Sequence, residues 1–263
     1  MTKISEYKLH KYFAKTLFLG KKVDSLTHCH STNDEMIAKI KLTGNHIFEG
    51  HIVQSSFQTK GKGQRGNAWI SEPGKNLLFS VNLNPTFLSI NKLFFINVIT
   101  GIAIHKAIEG LVENSNIEIK WPNDIYINDL KVGGVLVETI LNGNKIENVI
   151  VGVGLNVNQE FFSLNTATSL FNESKTKFDL DQVLESVLLE IESQYLKLKA
   201  HDFKSTLFYY HQNMRWRGEI HVFSSGEKSF EGEIIGIDDK GRLVVKQEDQ
   251  LFSYDVKEIE FVN

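Results

Sequence analysis

Gly61-Lys62-Gly63-Gln64-Arg65-Gly66 packs three glycines, a lysine and an arginine into six residues. Glycine lets backbone N–H groups approach a ligand closely, and the two cations add charge to the same loop. Such a loop suits a phosphate or an acyl phosphate. A second chemical element is Lys120, in Lys120-Trp121-Pro122-Asn123-Asp124. Strand alternation turns Lys120 away from the face that holds Ile119 and Trp121, and Pro122 fixes the strand exit. An ammonium held there suits a carboxylate or phosphate. A third is Val151-Gly152-Val153-Gly154-Leu155-Asn156, where two glycines and then Asn156 fall on one strand face. Glycine inside a strand marks close approach by a ligand or another backbone. Each element alone has a plainer reading: a solvated basic turn, a surface lysine paired with Asp124 or Glu118, a tight sheet crossing.

The glycine loop also matches G-x-G-x-x-G. A dinucleotide site needs a strand before that motif, a helix directly after it and an acid about 20 residues on. Here Pro73-Gly74 predicts a turn, Leu77–Val81 predicts a strand, and Glu72 and Glu109 miss the acid position. The chain lacks H-R-D, D-F-G and G-x-x-x-x-G-K-[ST], which excludes the kinase and phosphate-loop motifs. His28-Cys29-His30 places neighbouring side chains that cannot converge on one ion, and no second cluster follows. No metal-ligating residues are predicted.

The elements must be positioned by a chain of 263 residues, 41% hydrophobic and 23% charged, with a net charge of −3. That suits one large domain and a small one, and argues against a nucleic-acid surface. The single cysteine, Cys29, excludes an intrachain disulfide framework. Lys15 interrupts the apolar stretch from Phe13 to Leu19, a poor signal peptide, and no run is long enough to span a bilayer. A cytoplasmic enzyme is the expectation, without membrane or DNA partners.

Residues 1–26 read as a short irregular or strand-like lead. Ser31-Thr32-Asn33 supplies helix N-cap types, with Thr32 and Glu35 spaced as a capping box. Residues 46–57 and 77–83 read as strands. Phe94, Val98, Ile102 and Leu111 mark a core helix over 91–111. Strands follow at 117–121, 125–127, 132–140 and 146–157, turning at Asn128-Asp129 and Asn142-Gly143. One or two helices fill 179–213. Five short strands after Gly218 read as a small β-barrel-like module, with the boundary near Met214. Tight turns between sequential strands imply an α+β fold with a central mixed or antiparallel sheet. The predicted domains are 1–214 and 215–263.

Taken in order, Ser31-Thr32-Asn33, Gln58, Gly61 to Trp69, Lys120 to Asp124, Lys131-Val132-Gly133-Gly134-Val135-Leu136-Val137-Glu138 and Gly152 to Val157 closely resemble the biotin–protein ligases. The resemblance runs from about Cys29 to Val157 and extends weakly through the terminal β module. It implies a class II synthetase-like catalytic domain with an SH3-like C-terminal β-barrel, and often a homodimer. It implies that ATP, with Mg²⁺, activates biotin to biotinyl-5′-AMP, which a lysine of a biotin carboxyl carrier protein or domain then attacks. The family pattern places Ser31, Thr32, Asn33, Gln58, Gly61, Lys62, Gly63 and Gln64 around the biotin ureido ring, and Gly152 and Gly154 beneath its chain. Lys120 falls on the biotin carboxylate and the phosphate, and Arg65 on phosphate. Trp69, Asn123, Lys131 and Asn156 fall on the nucleotide side, Trp69 stacking on adenine.

Many relatives read Gly-Arg-Gly-Arg where this chain has Gly61-Lys62-Gly63-Gln64. Lys62 keeps charge without the guanidinium fork, and Gln64 lacks charge. Either Arg65 turns inward or Lys120 carries more of the work. Asn158 to Leu170 reads as a closing loop, with Phe161 or Phe162 covering the adenine side. Two other readings are a lipoate–protein ligase with the same adenylation chemistry and a biotin-responsive regulatory protein. The short lead before Ser31 argues against a DNA-binding domain of this type.

Overall fold

Alternating apolar residues and tight turns lay down two sheets, and the candidate residues cluster where the sheets meet. In a computed structural model of the protein, residues 13, 15–45, 47–113, 115–226 and 228–262 are described. Most of the predicted N-terminal lead lies outside them. The chain runs β1 (Val23–Leu26), α1 (Thr32–Leu42), β2 (Ile52–Ser55), β3 (Gly61–Lys62), β4 (Ala68–Trp69), β5 (Leu77–Leu83), α2 (Phe94–Glu109), β6 (Ile117–Lys120), β7 (Asp124–Ile127), β8 (Leu130–Asn142) and β9 (Lys145–Leu155). It continues with α3 (Leu170–Ser174), α4 (Leu180–Lys199), α5 (Phe203–Gln212), β10 (Ile220–Ser225), β11 (Lys228–Ile237), β12 (Leu243–Gln247), β13 (Gln250–Tyr254) and β14 (Glu260–Phe261).

The main sheet is ordered β1-β2-β5-β9-β8-β7-β6. Only β1 and β2 pair in parallel, so the sheet is mixed, as the turn spacing predicts. Asn128 (φ 46°) and Asp129 (φ 73°) adopt the left-handed backbone that a tight β7–β8 hairpin demands. Helix α1 covers one face through Met36 and Ile40, against Val53 and Ile150. Helices α2, α4 and α5 cover the other. Helix α2 is apolar on nearly every side because α4 and α5 pack over the side that the sheet leaves open.

The second sheet is antiparallel, ordered β13-β12-β11-β10-β14. Its end strands β13 and β14 share no hydrogen bonds, so the predicted barrel takes the form of an open five-stranded sheet. It is joined to the first by the chain after α5. Ile119 N–H donates to Asn213 O (2.8 Å), and Arg215 N–H donates to Ile119 O (3.0 Å). Trp121 Nε1 donates to Gly241 O (2.9 Å) across the junction.

Three local expectations need correcting. The N-cap of α1 is Ser31, and no side chain caps it. The Thr32 hydroxyl turns to Gln58 instead, so no capping box forms. The predicted strand over 46–57 shrinks to Ile52–Ser55. The helix α3 was not anticipated, because five residues are too few to show a period.

Candidate active site

Glycines in β9 make the floor. A Cβ on Gly152 would lie 2.3 Å from Asn33 Oδ1, and one on Gly154 would lie 2.5 Å from the Trp69 indole. Both positions therefore exclude a side chain. Asn33 is held by Nδ2 donation to Glu138 Oε2 (2.7 Å). The fully buried Ser80 hydroxyl lies 2.6 Å from Asn33 Oδ1 and 2.8 Å from Thr32 Oγ1. Gln58 Oε1 accepts from the Thr32 N–H (2.7 Å) and hydroxyl (3.1 Å). This end of the cavity is a neutral, buried set of donors and acceptors, suited to an uncharged polar ring.

The glycine loop forms one wall. Strands β3 and β4 pair Gly61 with Trp69 and Lys62 with Ala68, so much of the expected loop is a small hairpin. Gly61 sits behind the cavity, where a Cβ would strike Trp69 O at 2.4 Å. Lys62 pairs with Asp34, whose carboxylate pushes the lysine pKa up. Arg65 adopts a left-handed backbone (φ 55°) and points at the second sheet. Its guanidinium donates to the Glu260 carboxylate and to the Val256 and Ile259 carbonyls.

Lys120 stands at the junction. Its Nζ lies 4.5 Å from the centroid of Trp216, 4.9 Å from Phe261 and 5.4 Å from Tyr126. Burial pulls its pKa below the usual lysine value, although the Asp124 charge opposes this. Asp124, its cross-strand partner, is ion-paired with Lys131 at 2.7 Å. Lys131 Nζ also lies 5.7 Å from the Trp69 ring. Asn123 is buried, with Nδ2 donating to Val135 O.

These residues enclose a cavity of ≈ 610 Å³. Of the residues singled out from sequence, Ser31, Thr32, Asn33, Gln58, Lys62, Gly63, Gln64, Arg65, Trp69, Lys120, Asn123, Lys131, Gly152 and Gly154 line it. Gly61 and Asn156 do not. Asn156 is buried, its Nδ2 donating to Thr168 O (3.0 Å), so its amide braces the following loop. Phe161 and Phe162 are also absent from the lining, and Phe161 is exposed. Sequence reasoning missed Asp124 and the C-terminal wall of Val256, Ile259, Glu260 and Phe261. Residue type gave no signal there; only the second sheet's placement brings them in. Among the described residues no three His, Cys, Asp or Glu side chains cluster to hold a metal.

The comparisons agree with this geometry. Residues 25–156 match the model of the biotin/lipoate A/B protein ligase family, and residues 219–261 match the biotin protein ligase C-terminal domain. The biotin protein ligase of Aquifex aeolicus, solved with biotin and ATP, is similar at 29% identity and a TM-score of 0.76. The match covers 92% of this chain and 99% of that one. The bifunctional ligase/repressor BirA of Bacillus subtilis is 28% identical, over 97% of this chain and 79% of its own length. The biotin–[acetyl-CoA-carboxylase] ligase of Mycobacterium tuberculosis is 24% identical, over 85% and 82%. With one family model spanning half the chain and a biotin-specific one spanning the second sheet, this chain belongs to the biotin/lipoate A/B protein ligase family, on its biotin protein ligase side.

Proposed function

We propose that this cavity joins biotin to ATP and passes the biotinyl group to a lysine of a carrier domain of a biotin-dependent carboxylase. The observation that carries the reading is the position of Lys120. Its ammonium lies on the cavity wall between the neutral hydrogen-bonding end at Thr32, Asn33 and Gln58 and the aromatic end at Trp69. An acid whose ring occupies the first end and a nucleotide whose base stacks on Trp69 would bring carboxylate and α-phosphate together beside Lys120.

In the first step a biotin carboxylate oxygen forms a bond to the α-phosphorus, and the bond to pyrophosphate breaks. Two anions must meet, so fixed positive charge lowers the barrier. Lys120 supplies it, and the N–H groups of the glycine loop add to it. In the second step the carrier's lysine amine attacks the acyl carbon and AMP leaves. Mg²⁺ would arrive with the nucleotide and neutralise phosphate charge. Asp124 is the wall carboxylate placed to meet it. The absence of a three-residue cluster among the described residues fits an ion held mainly by phosphate and water.

Biotin-dependent exchange of labelled pyrophosphate into ATP tests the first step without the carrier. Exchange driven by biotin and not by lipoate is expected. Exchange with lipoate alone would overturn the reading in favour of a lipoate ligase.

A further inference from the structure

We propose that Trp216 and Phe261, together with Tyr126, are positioning residues for Lys120: three rings hold its ammonium over the cavity and leave its N–H donors free for substrate oxygens. This inference rests on the role of Lys120 given above. Ring centroids 4.5, 4.9 and 5.4 Å from Nζ lie within cation–π range. Ring faces attract the charge without taking its donors as a carboxylate would. The carboxylate across the strand, Asp124, is taken by Lys131. The cage is built at a cost: Trp216 is a bulky residue at φ 62°, a conformation that costs roughly 1–3 kcal/mol. It is braced from behind by Arg215, whose guanidinium carbon lies 4.6 Å from its ring centroid. Arg215 is in turn held by Glu118 and by Asp129 at 2.6 Å. Trp216 and Phe261 both come from the chain after α5, so the C-terminal segment takes part in the first chemical step by aiming Lys120.

Biotin-dependent pyrophosphate exchange by the full chain tests this. Phe261→Leu keeps apolar bulk and removes the ring face, whereas Phe261→Tyr keeps it. Trp216→Gly suits the left-handed backbone and removes the ring, whereas Trp216→Phe keeps one. We expect the Leu and Gly variants to lose about fivefold or more in maximal rate, from about 1 kcal/mol per contact. Biotin KM should stay within about twofold, and the Tyr and Phe variants should stay near the native rate. A native rate in Phe261→Leu, or an equal fall in Leu and Tyr variants, would overturn the proposal. A second readout needs no activity. Ring currents should shift the Lys120 Cε protons upfield in the native NMR spectrum, and Phe261→Leu should relax that shift. Unshifted protons in the native chain would overturn the cage even if exchange is robust. Shifted protons without biotin-dependent exchange would instead overturn only the catalytic reading.

Discussion

The Arg65 guanidinium in the glycine loop donates to the Glu260 carboxylate in the last strand, 195 residues further along the chain. Arg65 thus does not turn down to the cavity floor; it fastens the loop to the second sheet. An exposed ion pair contributes roughly 0.2–1 kcal/mol, so the fastening is weak and reversible. Arg65→Ala should slow adenylation only several-fold and increase leakage of free adenylate. Glu260→Ala should reproduce part of that leakage. Chromatography of the intermediate released without carrier measures it. A large loss of adenylation in Arg65→Ala, with Glu260→Ala normal, would place the arginine on phosphate instead.

Gly154→Ala addresses the floor. The added Cβ would meet Trp69 at 2.5 Å, and an indole packed in a wall cannot yield cheaply. Overpacking of this kind costs about 1–3 kcal/mol. The nucleotide KM should rise about tenfold or more while biotin binding, centred at Thr32 and Gln58, changes less. Equal effects on both substrates would argue against Trp69 as the nucleotide wall.

Lys120→Ala should lower the maximal exchange rate by about 10²–10³, the usual loss for one preorganised charge-stabilising group. Thermal stability should hold or rise, because a half-buried charge without an ion-pair partner is removed. Measuring melting temperature beside the rate separates chemistry from folding. An unchanged rate would remove Lys120 from the mechanism.

Acid should destabilise the fold through Asp24. Burial pushes its pKa up, but hydrogen bonds and charge from His51 (2.8 Å) and Lys39 outweigh this and hold it at about 2, below the ordinary 3.8. A carboxyl lowered on folding contributes stability that is full above its unfolded pKa. That stability is lost as pH falls from about 3.8 through about 2. Asp24→Asn should be less stable at neutral pH and flatter across that window in denaturant titrations. Parallel profiles for both proteins would exclude Asp24 as the source.

Much of the site was legible because its parts sit on strands, where a period of two fixes which side chains share a face. Lys120 opposite Ile119, and the paired glycines 152 and 154, follow from that period alone. Asn156 breaks the pattern because β9 ends at Leu155, and the chain then bends to meet Thr168. Ser80 lay hidden: a serine in an apolar strand carries no periodic signal, although it joins Thr32 to Asn33. The partners of Arg65 and Lys120 were beyond reach, since nothing local to Val256–Phe261 says where that segment docks.

The seam at Ile119 bears on biosynthesis. Its N–H and C=O are both taken by Asn213 and Arg215, which leave the ribosome more than ninety residues later. Closing so long a loop is slow relative to local hairpins. A nascent chain can fold its first sheet early, yet the strand edge beside Lys120 stays open and its rings are missing. Translation must therefore be nearly finished before the protein acquires activity, and fragments cut short before Met214 accumulate as inert species with an unpaired β6 edge.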